Sequence, residues 1–153
     1  MGLLRETVVS IRNLRSEMNV PPAREAPVSI RADGHTVELY REAAPILQAL
    51  ARVSQLHLGS DLVKPRHAAS DVVAQAEVFV HLEGLIDLAL ERTRLAKELE
   101  KTEKLIVSAR RKLENPEFLD KARPEVVEKE REKLALLEQA LVKLSRAHRA
   151  LED

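Results

Sequence analysis

The sequence predicts an α+β protein in which a small layer of helices and strands is followed by a long antiparallel coiled-coil hairpin. Two observations support this. Residues 1–83 hold five of the seven prolines and three of the four glycines, whereas residues 84–153 are rich in helix-forming Leu, Ala, Glu, Lys and Arg. The second part also carries two heptad repeats, one on each side of a proline-containing linker. We therefore predict two domains, 1–83 and 84–153.

The first predicted element is a helix with a single apolar stripe. Side chains three and four residues apart form this stripe: Leu4, Val8, Ile11, Leu14 and Met18. Pro21 and Pro22 end the helix, because proline lacks an N–H and disfavours a helical residue before it. An isolated helix of this length is marginal in water. Its stripe is therefore expected to pack on the α+β layer or to drive self-association.

A strand and a second helix are predicted next. Residues 27–31 alternate weakly, which is typical of a strand, and the pair Asp33-Gly34 predicts a turn at its end, with His35 beside it. Residues 36–51 then predict a helix that contains Pro45. Its expected inner face consists of Val37, Tyr40, Ile46, Leu47 and Leu50.

Two valine-rich segments complete the first domain. Residues 53–58 and 72–82 each predict one strand, and residues 59–70 predict the loop between them. In the second strand, Val78, Val80 and Leu82 share a face. The expected result is a layer of helices on one sheet, whose strand order the sequence leaves open.

The second domain is predicted from its heptads. The first seam runs through residues 87–115, with Arg92 in one place and apolar or small residues in the others: Leu88, Leu95, Leu99, Thr102, Ile106, Ala109 and Leu113. The second begins at Pro124, with Glu130 in one place: Val127, Leu134, Leu137, Leu141, Leu144, His148 and Leu151. Asn115-Pro116 ends the first helix, and Pro124 suits the first turn of the next. A linker this short requires antiparallel helices.

Net charge excludes one class of function and leaves another open. The 25 basic residues balance the 25 acidic ones, which argues against indiscriminate binding of polyanions by the whole surface. The balance is uneven along the hairpin, however. Residues 104–123 carry six basic and three acidic side chains, a net charge of +3, whereas the flanking segments 84–103 and 124–153 are each −1. Positive charge therefore collects at the tip of the hairpin.

The basic tip has two interpretations. It would contact RNA phosphates, with an aromatic face for a base, through Lys104, Arg110, Arg111, Lys112, Phe118, Lys121 and Arg123. Alternatively, it is a solvated charged surface on which Phe118 and Leu119 close the end of the hairpin. The residue pattern alone favours the second interpretation, and the two are compatible.

No catalytic or metal site is predicted. The chain has no cysteine, which excludes disulfides and thiolate zinc sites and fits a reducing, cytoplasmic environment. No serine has a nucleophile-elbow context, and no glycine-rich phosphate loop is present. His57 and His81 lie on predicted strands that could bring them together, but without carboxylates at ligand spacing they make a poor metal site. No apolar run is long enough to span a membrane.

Three blocks of sequence resemble bacterial valyl-tRNA synthetases near their C-terminal end. Residues 11–23 read IRNLRSEMNVPPA, and residues 80–87 read VHLEGLID. Around the linker, residues 112–118 read KLENPEF and residues 122–130 read ARPEVVEKE. The blocks occur in the family's order and span nearly the whole chain, which makes the resemblance specific.

The resemblance implies a role for the hairpin. In that family, a class I enzyme joins valine to its tRNA with ATP and magnesium, and the C-terminal coiled coil reaches the outer corner of the tRNA, where the D and T loops meet. The family's HIGH and KMSKS catalytic motifs are absent from this chain. The resemblance thus implies a non-catalytic appendage, with no cofactor of its own, that binds valine-accepting tRNA. Its other partner is the rest of the synthetase chain, and neither DNA nor a membrane is expected.

A different class of function also fits the residues. A free-standing coiled-coil module would use the same hairpin to bind protein partners. Salt dependence separates the two hypotheses, because binding to RNA phosphates weakens steeply as salt rises.

Overall fold

The computed structural model describes residues 2–152, which form two compact units. One unit comprises the chain up to Glu91 together with the segment from Ala150 onward, and the other comprises Arg92–Arg149. In chain order the elements are α1 (Gly2–Glu17), β1 (Ala26–Arg31), α2 (Gly34–Ala51), β2 (Val53–Gly59), β3 (Ala68–Val73), β4 (Ala76–His81), α3 (Leu88–Glu114), α4 (Pro116–Lys121) and α5 (Pro124–Ala150). The α+β class predicted from the sequence is confirmed.

The first unit is built on a four-stranded sheet with strand order β2-β1-β4-β3. β1 and β2 are parallel because α2 carries the chain back across the sheet between them, whereas β4 is antiparallel to both β1 and β3. Val28, Ile30, Val78 and Val80 are completely buried at the centre of the sheet. This alternating apolar face accounts for the core of the unit.

The apolar stripe of α1 is buried in this same unit. α1 packs against α2, β3 and β4. Ile11 is completely buried, and Leu14 and Met18 are at most 3% exposed. Of the two outcomes that the sequence leaves open for this stripe, the structure shows packing on the α+β layer.

The opposite face of the sheet carries one large buried side chain. Phe79 alternates with Val78 and Val80 and is only 1% exposed. The Arg31 guanidinium lies 5.5 Å from the centre of the Phe79 ring. It also binds both carboxylate oxygens of Glu77, at 3.0 and 2.9 Å, and donates to the carbonyl of Leu62 at 2.8 Å. Arg31 therefore links the loop after β2 to the sheet.

Three predictions about the first unit are wrong in detail. Asp33 is not in a turn that ends a strand but is the N-cap of α2, since its side chain accepts from the backbone N–H of Thr36 at 2.8 Å. Consequently α2 begins at Gly34, and His35 lies in its first turn. Ile46 and Leu50 are 55% and 48% exposed, because the buried face of α2 continues to Ala51 instead.

The third correction concerns residues 68–82. The predicted single strand at residues 72–82 is a hairpin of β3 and β4, and β3 begins inside the predicted loop. Ala74 lies in the connection between the strands with φ of 54°, a left-handed conformation that is uncommon for a residue other than glycine. No Gly, Asn, Asp or Pro marks this turn, which explains why the sequence pattern does not reveal it.

The second unit is the predicted antiparallel helix pair. On α3, Leu95, Thr102, Ile106 and Ala109 are buried at the predicted seam positions. The facing seam positions of α5 are half-buried: Val127, Leu134, Leu137, Leu141, Leu144 and His148. The segment predicted only as a linker contains the short helix α4, with Pro116 in its first turn. Its N-cap is Asn115, whose side chain accepts from the N–H of Glu117 at 3.0 Å.

Candidate nucleic-acid interface

The residues predicted to contact RNA all lie in the second unit. Four are on α3, two are on α4, and one precedes α5: Lys104, Arg110, Arg111, Lys112, Phe118, Lys121 and Arg123. Every one except Phe118 is exposed. The structure brings Lys104, Arg111 and Lys112 together along one shallow, open groove, which Glu100 and Glu103 also line. The predicted set is therefore accessible to a large ligand.

Three of the six cations form ion pairs. Arg110 on α3 lies 3.0 Å from Glu138 on α5, and Lys104 lies 3.2 Å from Glu100 one turn away. Lys112 lies 3.9 Å from Glu130, whose side chain is only 14% exposed at its seam position. Such pairs are weak individually at a surface, but each neutralises a cation and holds it near the protein. These three side chains thus have intramolecular partners.

The other three cations are unpaired. Arg111, Lys121 and Arg123 make no ion pair with any described residue. Their charge is therefore not offset by a bound carboxylate. The structure divides the predicted cations into a paired set (Lys104, Arg110 and Lys112) and an unpaired set (Arg111, Lys121 and Arg123).

The outer face of α3 extends this cationic surface away from the tip. Exposed polar residues recur there at intervals of four, three, four and three: Lys97, Lys101, Lys104, Ser108 and Arg111. This spacing places them on the side of α3 opposite its buried seam. The row is about 21 Å long at 1.5 Å per residue. We call it the α3 cationic row.

Lys97 and Lys101 were missed because charge was counted along the sequence. The segment 84–103 has a net charge of −1, yet its lysines share one face of the helix while most of its acidic residues lie on others. Counting charge by helical face would have found both. The exposed face of α5 shows no such excess, since acidic and basic residues alternate along it, as in Glu125, Lys129, Glu132 and Lys143.

Phe118 lies on α4, which contains no buried residue. Its ring is half-buried, and neighbouring Leu119 is 39% exposed. The carbonyl of Phe118 accepts the N–H of Ala122 at 2.9 Å, which closes the C-terminal end of α4. The geometry thus leaves part of the ring accessible while the backbone of the same residue stabilises the tip.

The two histidines singled out from the sequence do come together. The ring centres of His57 and His81 are 6.3 Å apart, and the Nε2 atom of His81 lies 2.7 Å from the hydroxyl of Ser29. No third ligand completes a site, because within residues 2–152 no group of three His, Asp or Glu side chains is placed to hold a metal. The two histidines are instead part of the sheet, His57 on β2 and His81 on β4.

This pair makes stability depend on pH. Burial and, secondarily, the charge of His57 lower the pKa of His81 below its ordinary value of 6.5. The unfolded chain therefore binds more protons than the folded chain just below pH 6.5. The contribution of His81 to folding stability is thus present above that pH and is lost as the pH falls.

We expect His81→Gln to reduce the drop in melting temperature between pH 8 and pH 5. His35→Gln, at an exposed histidine, should leave the drop unchanged, and an equal effect of both variants would contradict the assignment.

Comparison with protein families identifies the second unit. Residues 87–152 match the family described as the valyl tRNA synthetase tRNA binding arm. These residues belong to that family. The match covers α3, α4 and α5, and therefore includes every residue of the paired and unpaired sets.

Curated relatives of this family extend the similarity to the first unit. A valine–tRNA ligase of Gluconobacter oxydans is 43% identical over 139 residues, which cover 90% of this chain. The valine–tRNA ligase of Geobacter sulfurreducens is 41% identical over 88% of the chain, and that of Nitratidesulfovibrio vulgaris is 36% identical over 100%. The chain matches the C-terminal region of these ligases.

The chain corresponds to a small part of each of these relatives. The chain spans 15% of the length of the first two of these relatives and 17% of the third. Among the helices described, none combines the length and the apolar character needed to cross a membrane.

Proposed function

We propose that this chain is the tRNA-binding appendage of a valine–tRNA ligase. The observation that carries the proposal is the position of the unpaired cations and the α3 cationic row on the segment that matches the tRNA-binding-arm family. In the whole enzyme, valine would be attached to its tRNA with ATP and magnesium in the cytoplasm. The appendage itself would contribute binding and no catalysis, and it would hold no cofactor.

Electrostatics supports RNA backbone as the ligand. Lysine and arginine neutralise phosphates and release counterions, which gives affinity without reading sequence. Because α3 is cationic on its outer face and α5 is not, the RNA would lie along α3 and the tip. Phe118 would supply a partly exposed ring for contact with a base.

The tRNA elbow is the part of the ligand that we propose for this surface. α3 has 27 residues, so it is about 40 Å long at 1.5 Å per residue. A helix of that length allows a contact far from the rest of an enzyme. Loops of RNA offer both phosphates and unstacked bases, which matches a cationic surface beside one aromatic ring.

Fluorescence anisotropy with a valine-accepting tRNA transcript tests the proposal. We expect measurable binding at low salt that falls steeply as salt rises, because several phosphates are neutralised. The matched control is the isolated anticodon stem-loop of the same tRNA, which lacks the elbow and should bind at least tenfold more weakly. Nuclease protection should appear in the D and T loops.

Two results would overturn this function. One is the absence of tRNA binding even at low salt, together with specific capture of a protein by the hairpin, which would favour a protein-interaction module. The other is equal affinity for the tRNA and the isolated stem-loop, which would remove the elbow as the binding site. The affinity of the isolated chain should be modest, because it lacks the additional contacts that a whole synthetase makes.

A further inference from the structure

The first unit contains an arginine-lined groove that the proposed arm function does not use. It lies where the C-terminal ends of α1 and α2 approach each other, and it has a volume of about 490 Å³. Arg12, Arg15 and Arg52 line it together with Ser16 and Asn19. All of these residues except Arg52 belong to the sequence block 11–23 that resembles the synthetases. This block therefore forms most of one wall of the groove.

The three arginines of the groove concentrate positive charge, and the carboxylate of Glu91 is bound to Asn19 rather than to any of them. Arg12, Arg15 and Arg52 form no ion pair with any residue of the described chain. Arg15 is only 6% exposed. Its burial, and then the charge of Arg52, lower the pKa of Arg15. Like charges held together in a concave, partly buried site repel one another, and a bound anion would relieve that repulsion.

Backbone carbonyls hold two of the guanidinium groups in place. Arg12 donates from Nε and Nη2 to the carbonyl of Leu50, at 3.2 and 2.8 Å. Arg15 donates from Nη1 to the carbonyl of Arg52 at 3.0 Å, and from Nη2 to the carbonyls of Pro21, at 3.1 Å, and Arg24. An arginine has five N–H donors, so Nη1 of Arg12 and Nε of Arg15 still have donors to offer. Because both groups are already ordered, an anion would bind them at little entropic cost.

We infer that this groove binds a phosphate group of the RNA backbone and so gives the first unit an RNA contact of its own. The inference rests on the RNA binding proposed above for the second unit. The guanidinium fork matches the oxygens of a phosphate. Ser16 provides a neutral hydroxyl beside the arginines, which suits the edge of a nucleotide, whereas the amide of Asn19 already donates from Nδ2 to Oε1 of Glu91 at 3.3 Å. An acidic protein surface is the competing ligand, and the experiment is designed to separate the two.

The test uses the full chain with Arg12→Gln and Arg52→Gln combined, and Arg15 kept. Anisotropy with valine-accepting tRNA should show about tenfold weaker binding and a slope of log affinity against log salt that is smaller by about 1, as expected for one lost phosphate contact. The matched control combines Arg5→Gln with Arg41→Gln, which removes the same charge from exposed positions of the same unit. That variant should bind as tightly as the original chain.

A second measurement reads the groove directly. In a titration of the unaltered chain with inorganic phosphate, the NMR signals of the Arg12 and Arg15 side-chain Nε–H groups should shift, and that of Arg31, which is paired with Glu77, should not. Melting curves of the double variant are the check that it is folded.

The outcomes separate this inference from the proposed function. If the original chain binds tRNA and the groove variant binds it equally well, the groove inference is wrong and the arm function stands. If a hexaglutamate peptide binds the groove and phosphate does not, an acidic protein is the ligand and the inference is again wrong. If the original chain binds no tRNA, both fail, whatever the phosphate titration shows.

Discussion

Reversing the three unpaired cations at the tip is expected to reduce affinity for valine-accepting tRNA by about a hundredfold at low salt. The variant carries Arg111→Glu, Lys121→Glu and Arg123→Glu. None of these side chains forms an ion pair with another described residue, so the change removes phosphate contacts without breaking an internal bridge. The slope of log affinity against log salt should fall by about 3, one for each lost phosphate.

The matched control reverses three exposed lysines on α5: Lys129, Lys133 and Lys143. It changes the net charge by the same amount within the same helix pair, so it accounts for long-range repulsion. If RNA lies along α3 and the tip, the control should lose much less affinity. Equal losses in the two variants would show that only total charge matters and that the arm has no preferred face.

The paired cations give a third comparison. Reversing Lys104, Arg110 and Lys112 removes charge from the same region but also places each new carboxylate beside an existing one. This variant should lower the melting temperature of the helix pair, as the tip variant should not. If this variant loses RNA binding, the loss can be interpreted only together with its melting temperature. The variant of the unpaired set is therefore the sharper test.

The helix pair was predictable because its signal is local. Seam positions such as Leu95, Ile106 and Leu134 follow from a repeat that any part of the helix displays by itself. The sheet was less predictable. Ala74 has a left-handed backbone conformation, which alanine rarely adopts and which the sequence therefore does not predict. On α2, Ala51 is buried and Leu50 is exposed, because the packing of the helix on the sheet determines which side chains are covered.

The candidate site was likewise predictable where the signal is local and unpredictable where it depends on distant contacts. Net charge along the sequence located the basic tip, but which cation is paired depends on a partner far away in the chain, as with Arg110 and Glu138. The arginine groove depends on the meeting of two helix ends, which the sequence leaves open along with the strand order. A motif such as residues 11–23 can thus be recognised before the contacts that it makes can be stated.

Those contacts predict the largest stability effect in the first unit, from Arg15. Its guanidinium donates to three carbonyls, of Pro21, Arg24 and Arg52, and so ties the loop after α1 to the end of α2. Arg15→Met keeps much of the side-chain volume but removes all three hydrogen bonds. The carbonyls of Pro21 and Arg52 keep their backbone donors, the N–H groups of Arg24 and Ala26, whereas that of Arg24 loses its side-chain donor. We expect Arg15→Met to lower the free energy of unfolding by about 3 kcal/mol, since each lost hydrogen bond to a charged group contributes more than a neutral one.

The chain provides its own reporter for this experiment. Tyr40 is the single tyrosine, tryptophan is absent, and the Tyr40 ring is buried in the first unit. Urea unfolding followed by tyrosine fluorescence therefore reports on that unit rather than on the helix pair.

Arg15→Lys should rescue only part of the loss, because one ammonium group cannot reach three carbonyls that a planar guanidinium spans. Arg12→Met, at an exposed arginine with one carbonyl partner, is the control and should change the midpoint little. If Arg15→Met unfolds at the same urea concentration as Arg12→Met, the three-carbonyl contact does not stabilise the unit, and the case for Arg15 would rest on anion binding alone.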